Sequence, residues 1–178
     1  VPSRALTAGT AAVAFTPVTA VNGAPAYSFV VSPALPAGLA LSPSTGTITG
    51  TATSASVANN YTVTITDNTS ATANNSFSLT VNPALATTLA IANRSLTVGA
   101  AANFTPVTVN ASTGTAPFIF AVTSPLPAGL SISASTGAIT GTPSAPITAT
   151  EFTITATDAA GAVSSKILNL PVNGPLVS

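Results

Sequence analysis

Apolar and polar residues alternate with a period of two along most of this 178-residue chain, and helical spacing is hard to find. Tyr61-Thr62-Val63-Thr64-Ile65-Thr66 sets apolar side chains on one face and threonine on the other, as a half-buried antiparallel strand requires. Phe152-Thr153-Ile154-Thr155-Ala156-Thr157 does the same ninety-one residues later. Tyr27, Phe29 and Val31 match Phe118, Phe120 and Val122, and Phe77, Leu79 and Val81 match Leu168, Leu170 and Val172. Upstream, Arg4-Ala5-Leu6-Thr7-Ala8-Gly9 answers Arg94-Ser95-Leu96-Thr97-Val98-Gly99, and Phe15-Thr16-Pro17-Val18 answers Phe104-Thr105-Pro106-Val107. The offset slides from about 89 to 91, so a few residues are gained between Val109 and Pro117, in a loop.

Each repeat then holds about seven short strands separated by turn signals, the pattern of an antiparallel sandwich. The expected fold is all-β: two tandem immunoglobulin-like sandwiches, residues 1–83 and 84–178. The seam falls near Val81-Asn82-Pro83-Ala84-Leu85, since Pro donates nothing to a ladder and suits a strand end or linker. So short a linker predicts an elongated pair. The tail Val172-Asn173-Gly174-Pro175-Leu176-Val177-Ser178 repeats the linker by phase, while the chain opens near the phase of Ile91. Two readings of that register stand: an excerpt of a longer array, or a subunit whose tail completes the next subunit's first sheet by strand addition.

The most regular segment is written twice, as LPAGLALSPSTGTITGTAT from Leu35 to Thr53 and as LPAGLSISASTGAITGTPS from Leu126 to Ser144. Pro36 and Gly38 predict a tight turn between two buried leucines, and Ser44-Thr45-Gly46 a second turn before a strand from Ile48 to about Gly50. These segments, followed by YTVTITDN and FTITATDAAG, resemble the bacterial putative Ig domain, related to cadherin-like repeats of surface and adhesin proteins. The resemblance implies an Ig-like sandwich in an extracellular repeat protein; it implies no ligand, because fold does not fix function. Every position that recurs has a turn, core or strand reason to recur, so the motif reads as scaffold.

Composition narrows the chemistry. Charged residues make up 3% of the chain, three basic and three acidic, against roughly 25% in ordinary soluble domains. Such a surface carries little repulsion, so lateral packing into an array or filament is easy. It also offers no basic patch for nucleic acid or anionic lipid. Cys, His, Met and Trp are absent, which removes thiolate catalysis and Cys-ligated zinc. No run approaches the eighteen apolar residues of a membrane span. No signal peptide opens the sequence, so a secreted protein is read here in processed form or as an excerpt.

Few residues remain as candidates. Asp67 and Asp158 close equivalent strands, and in cadherin-like relatives an Asp there joins a calcium site. Calcium takes six to eight oxygens, and three acids in the chain do not supply them, so capping of the following turn is the expected role. Lys166 shares the inward parity of Leu168 and Leu170; with Glu151 it is a weak candidate for an isopeptide crosslink, and a position at the outer end of its strand is the plainer expectation. Rows of threonine (Thr62, Thr64, Thr66; Thr153, Thr155, Thr157; Thr47, Thr49, Thr51) suit a hydroxyl array for ice or polysaccharide, or are simply outward strand residues. N-x-Ser/Thr triplets are least out of place at Asn68 and Asn110, in loops. No spacing supplies a nucleophile with a base, so the chain is expected not to be an enzyme and to need no cofactor. Val30, Ile119 and Ile167 have outward parity and are the expected subunit contacts. The functional expectation is an extracellular stalk, adhesin or self-assembled filament; the alternatives are a module binding glycan, ice or a surface partner, and a phage or virion decoration domain.

Overall fold

The computed structural model describes residues 2–175 and divides into two compact units, Val1–Ala84 and Leu85–Ser178. Among the described residues there is no helix.

The first unit contains β1 (Ser3–Thr7), β2 (Ser28–Ser32), β3 (Leu39–Leu41), β4 (Ile48–Gly50), β5 (Ser56–Thr66) and β6 (Thr72–Asn82). One sheet runs in the order β1-β6-β5-β2; the β3-β4 hairpin, extended by bridges from Ala11 to Thr51 and from Phe15 to Ile48, forms the other layer. Period-2 alternation decides what lies between them. Tyr61, Val63 and Ile65 from β5 and Phe77, Leu79 and Val81 from β6 are buried, while the threonines between them face outward. Phe77 stacks on Tyr61 with ring centroids 5.5 Å apart and meets Phe15 edge-on at 6.4 Å. Fully burying a side chain of this size is worth about 1.5–3 kcal/mol, so the antiparallel pairing of Tyr61 with Phe77 fixes the register.

The second unit contains β7 (Thr87–Leu89), β8 (Leu96–Thr97), β9 (Ala102–Phe104), β10 (Val107–Val109), β11 (Ile119–Val122), β12 (Leu130–Ile132), β13 (Ile139–Gly141), β14 (Glu151–Thr157), β15 (Val163–Asn169) and β16 (Val172–Asn173). The sheets β11-β14-β15 and β12-β13-β9 enclose Ile139, Ile154, Leu168 and their neighbours, and β7 and β8 pair with β10 and β16. Arg94 lies over Phe104 with its guanidinium carbon 5.4 Å from the ring centre, as Arg4 lies over Phe15 at 5.2 Å.

Two features differ from the sequence expectation. Among the described residues six strands in the first unit and ten in the second replace about seven per repeat, and Thr105-Pro106 splits one segment of the second unit into β9 and β10. The sandwiches are also not purely antiparallel, since β1 pairs with β6 and β8 with β16 in parallel. The entering strand runs beside the last one and then crosses layers: Ala8 N–H donates to Asn82 O, and Gly9 N–H donates to Ala52 O on the other side. Of the linker-like tail, Val172 and Asn173 form β16, while Leu176–Ser178 lie outside the described residues.

Candidate functional site

The repeated motif folds as scaffold. Leu39 N–H donates to Pro36 O at 3.1 Å, closing a turn in which Gly38 takes φ +90°. Pro36 is thus the first corner of the turn, not the residue whose preset φ shapes its middle. Thr51 N–H donates to Gly38 O (2.9 Å) and Thr53 N–H to Ala37 O (3.0 Å), stitching the turn to the end of β4. A Cβ on Gly38 would run into the Thr51 carbonyl. The second copy makes the same bonds, Thr142 N–H to Gly129 O and Ser144 N–H to Ala128 O, both at 3.0 Å. Leu35 and Leu39 are half-buried rather than buried, because they pack against the core from its edge.

Asp67 and Asp158 cap their turns as expected and also do something the sequence reading missed. Asp158 Oδ1 accepts the N–H groups of Ala160 (2.9 Å) and Ala162 (2.8 Å) in its own turn; Oδ2 accepts Thr115 N–H at 2.8 Å, forty-three residues upstream. Asp67 repeats this, with Oδ1 on Thr69 (2.8 Å) and Ala71 (3.0 Å) and Oδ2 on Ala24 (3.0 Å). Each carboxylate therefore ties the β5-β6 or β14-β15 turn to the loop before β2 or β11. The signal available was a pair of aspartates and a pair of glycines, Gly23 and Gly114, at one shared offset of ninety-one. Among the described residues no three acidic, His or Cys side chains come together.

The Ala24 N–H first, then the Thr69 hydroxyl, hold the Asp67 carboxyl down from 3.8 to about 2, against the opposing effect of desolvation. A depressed carboxylate stabilises the fold fully above its ordinary pKa, and that contribution is lost as pH falls through the folded value. Between pH 4 and pH 2 the first unit is therefore expected to lose stability that Asp67→Asn lacks at every pH. Urea midpoints across this window check it; parallel curves for the two proteins would show that Asp67 is not responsible.

Lys166 and Glu151 are not brought together. Lys166 stands opposite Ile154 and Glu151 opposite Asn169, three steps along the ladder and on opposite parities. Lys166 is half-buried in the middle of β15, not at a strand end, because the strand begins at Val163.

The outward faces carry the remaining candidates. Val30, Ile119 and Ile167 are 65%, 61% and 51% exposed. Val163, which shares the parity of Ile167 and could have been named with it, is also exposed. Across the sheet Ile119 pairs with Thr157 and Thr157 with Val163, so two bare aliphatic side chains flank a threonine. Thr62, Thr64 and Thr66 and Thr153, Thr155 and Thr157 lie on these faces, whereas Thr47, Thr49 and Thr51 lie on or beside β4 in the other layer; part of the hydroxyl capacity of the first two rows is used across strands, by Thr62 with Ser76 (3.0 Å) and Thr155 with Ser165 (3.1 Å).

The sequence profile of the Putative Ig domain family matches residues 1–82 and again residues 83–173. The chain belongs to this family. Its two Putative Ig domains share a fold with the I-band fragment I67-I69 of titin, at 14% identity and a TM-score of 0.52 over 97% of this chain. The chain spans 63% of that fragment. Extracellular cadherin domains 1-5 of protocadherin Gamma B2 match at 13% identity and a TM-score of 0.40, covering 98% of this chain and 38% of theirs. Mouse cadherin-23 EC22-24 matches at 15% and 0.37, covering 98% and 62%. No curated protein matches. The family match and the likeness to the titin fragment make the fold that of tandem Ig-like sandwiches.

Proposed function

We propose that these tandem Putative Ig domains are an extracellular structural and adhesive module, part of a cell-surface stalk, adhesin or self-assembled filament. The observation that carries the reading is the outer face of β11-β14-β15, where Ile119, Val163 and Ile167 are exposed among Thr and Ser with no acidic side chain between them. Removing such side chains from water is worth about 25 cal/mol per Å², and the one acidic side chain of this parity on β14, Glu151, stands at the end of the face beyond Ile167. Ladders in series give length and resistance to extension, and the bare faces, with Val30 of the first unit, give lateral contact. Electron micrographs test it: the native chain is expected to form filaments or arrays, and Ile119→Asp with Ile167→Asp to leave at least tenfold fewer. Dispersed particles from the native chain at high concentration, or assemblies unchanged by the substitutions, would remove the reading.

A further inference from the structure

β15 is an edge whose main chain is only half used. Its antiparallel partner β14 lies on one side, and Asn169 shows which positions turn to the other: its N–H donates to Ala92 O at 2.8 Å and its carbonyl accepts Arg94 N–H at 3.0 Å. Main-chain groups alternate sides along a strand, so the N–H and C=O of Val163, Ser165 and Ile167 point the same way as those of Asn169, away from β14. Toward Ile167 the covering chain turns aside, since Ala90 and Ile91 donate to Pro106 O, next to β10. Among the described residues no strand and no main-chain bond meets Val163, Ser165 or Ile167 on that side.

The side chains of these three residues are exposed, and two of them are aliphatic. The first unit treats the matching edge differently. At the offset of ninety-one, Val163, Ser165 and Ile167 correspond to Thr72, Asn74 and Ser76 of β6, and there Asn75 Oδ1 takes the Ser76 N–H at 2.8 Å. A side-chain amide thus occupies an edge donor, and the side chains beside it are polar. Sheets commonly blunt their edges by local devices, an inward-pointing lysine among them. β15 carries one such device, Lys166, and no side chain that takes an edge N–H among the described residues.

We infer that this edge pairs with the β15 edge of a second copy, the two strands running antiparallel about a two-fold axis at Ser165. A row of unpaired main-chain donors and acceptors is matched by another strand, and this strand complements itself. In that register Val163 meets the partner's Ile167, Ile167 meets the partner's Val163, and Ser165 meets the partner's Ser165. Each pair exchanges both main-chain bonds, with an aliphatic cross-strand pair on either side of the axis. The exposed aliphatic side chains of the two copies become one patch across the seam, continuous with the face proposed above for lateral contact. Lys166 opposes the pairing without closing the edge. It stands opposite the partner's Ser164, and the two lysines lie on a diagonal, about 7–8 Å apart at their bases. Like charges at that distance in water weaken association about two- to threefold, and salt screens them. The seam from Val163 to Ile167 is about 16 Å long, small against about 800 Å² per partner in a standard interface. Pairing is therefore reversible and shows at high local concentration, as between copies held in an array.

Amide hydrogen exchange reads the seam residue by residue. In the single chain the Ser165 N–H is open while Ser164 and Lys166 are held by β14; stacking of faces leaves that difference as it is, whereas edge pairing protects Ser165. From tens of micromolar to about millimolar protein, exchange at Ser165 is expected to slow at least about tenfold, and exchange at Asn74 of the first unit to stay as it is. Ser165→Pro removes an N–H that has no partner within the chain, a change an edge strand tolerates, and should abolish the slowing at Val163 and Ile167. Lys166→Gln should bring the slowing on at about two- to threefold lower protein concentration and remove its dependence on salt. Exchange at Ser165 that is the same at every concentration of the native chain overturns the inference, as does slowing at Val163 and Ile167 that survives Ser165→Pro. Arrays in micrographs without protection of Ser165 would uphold the stacking of faces and overturn the seam; protection without arrays would do the reverse.

Discussion

Gly38→Ala is expected to unfold the first unit under conditions where the second stays folded. At φ +90° a side chain costs about 1–2 kcal/mol in backbone sterics alone. The added Cβ also points into the Thr51 carbonyl, a main-chain atom held by β4, and forcing such a group aside costs about 1–3 kcal/mol more. The sum, roughly 2–5 kcal/mol, is a large share of what about ninety residues usually hold, on the order of 5–13 kcal/mol. In urea the first unit's midpoint is expected to fall by at least about 1 M, read from the Tyr61 environment, since both tyrosines lie in that unit. Gly129→Ala should leave that signal in place and destabilise the second unit instead, because Gly129 takes φ +92° against the Thr142 carbonyl. A Gly38→Ala protein within about 1 kcal/mol of the native one would mean that the LPAGL turn relaxes freely and is not the fixed turn described above.

That turn was legible in the sequence because its requirements are local. A glycine two residues after proline, a Ser-Thr-Gly turn and a short strand follow from backbone sterics, and writing them twice confirmed the period. The long strands were equally open to reading, since alternation of Tyr61, Val63 and Ile65 with threonine has one solution on a two-layer fold. Contacts that join distant segments left weaker marks. Parallel pairing of β1 with β6 has no period of its own, because Leu6 alternates no differently beside Val81 than it would beside an antiparallel partner. β7 is three residues long and follows directly on the seam read near Val81–Leu85, too short to show an alternation of its own.

The aspartates show the same division. Capping of the Asp158-Ala159-Ala160-Gly161 turn is a local matter and was expected. The bond to Thr115 crosses forty-three residues and needs the fold to be known.

Asp158 is the other position where a single change should be severe. Its side chain is 5% exposed, and its two oxygens take three main-chain N–H groups. Bonds to a charged acceptor contribute about 1.5–3 kcal/mol each, though their sum is not additive, and donors left buried without a partner cost comparably. Asp158→Ala is therefore expected to destabilise the second unit by about 3 kcal/mol or more. Asp158→Asn separates the two jobs of the carboxylate. With its carbonyl oxygen in the place of Oδ1, asparagine still caps Ala160 and Ala162, but its amide then faces the Thr115 N–H, donor against donor. The loss should be about half as large and confined to the tie, so hydrogen exchange at Thr115 should quicken at least tenfold while Ala162 stays protected. If both amides quicken together, the turn and the loop are one cooperative element and the carboxylate does not act as a joint between two. If neither quickens, the loop before β11 is held by Ala159 N–H on Thr115 O, at 2.8 Å, without help from the acid.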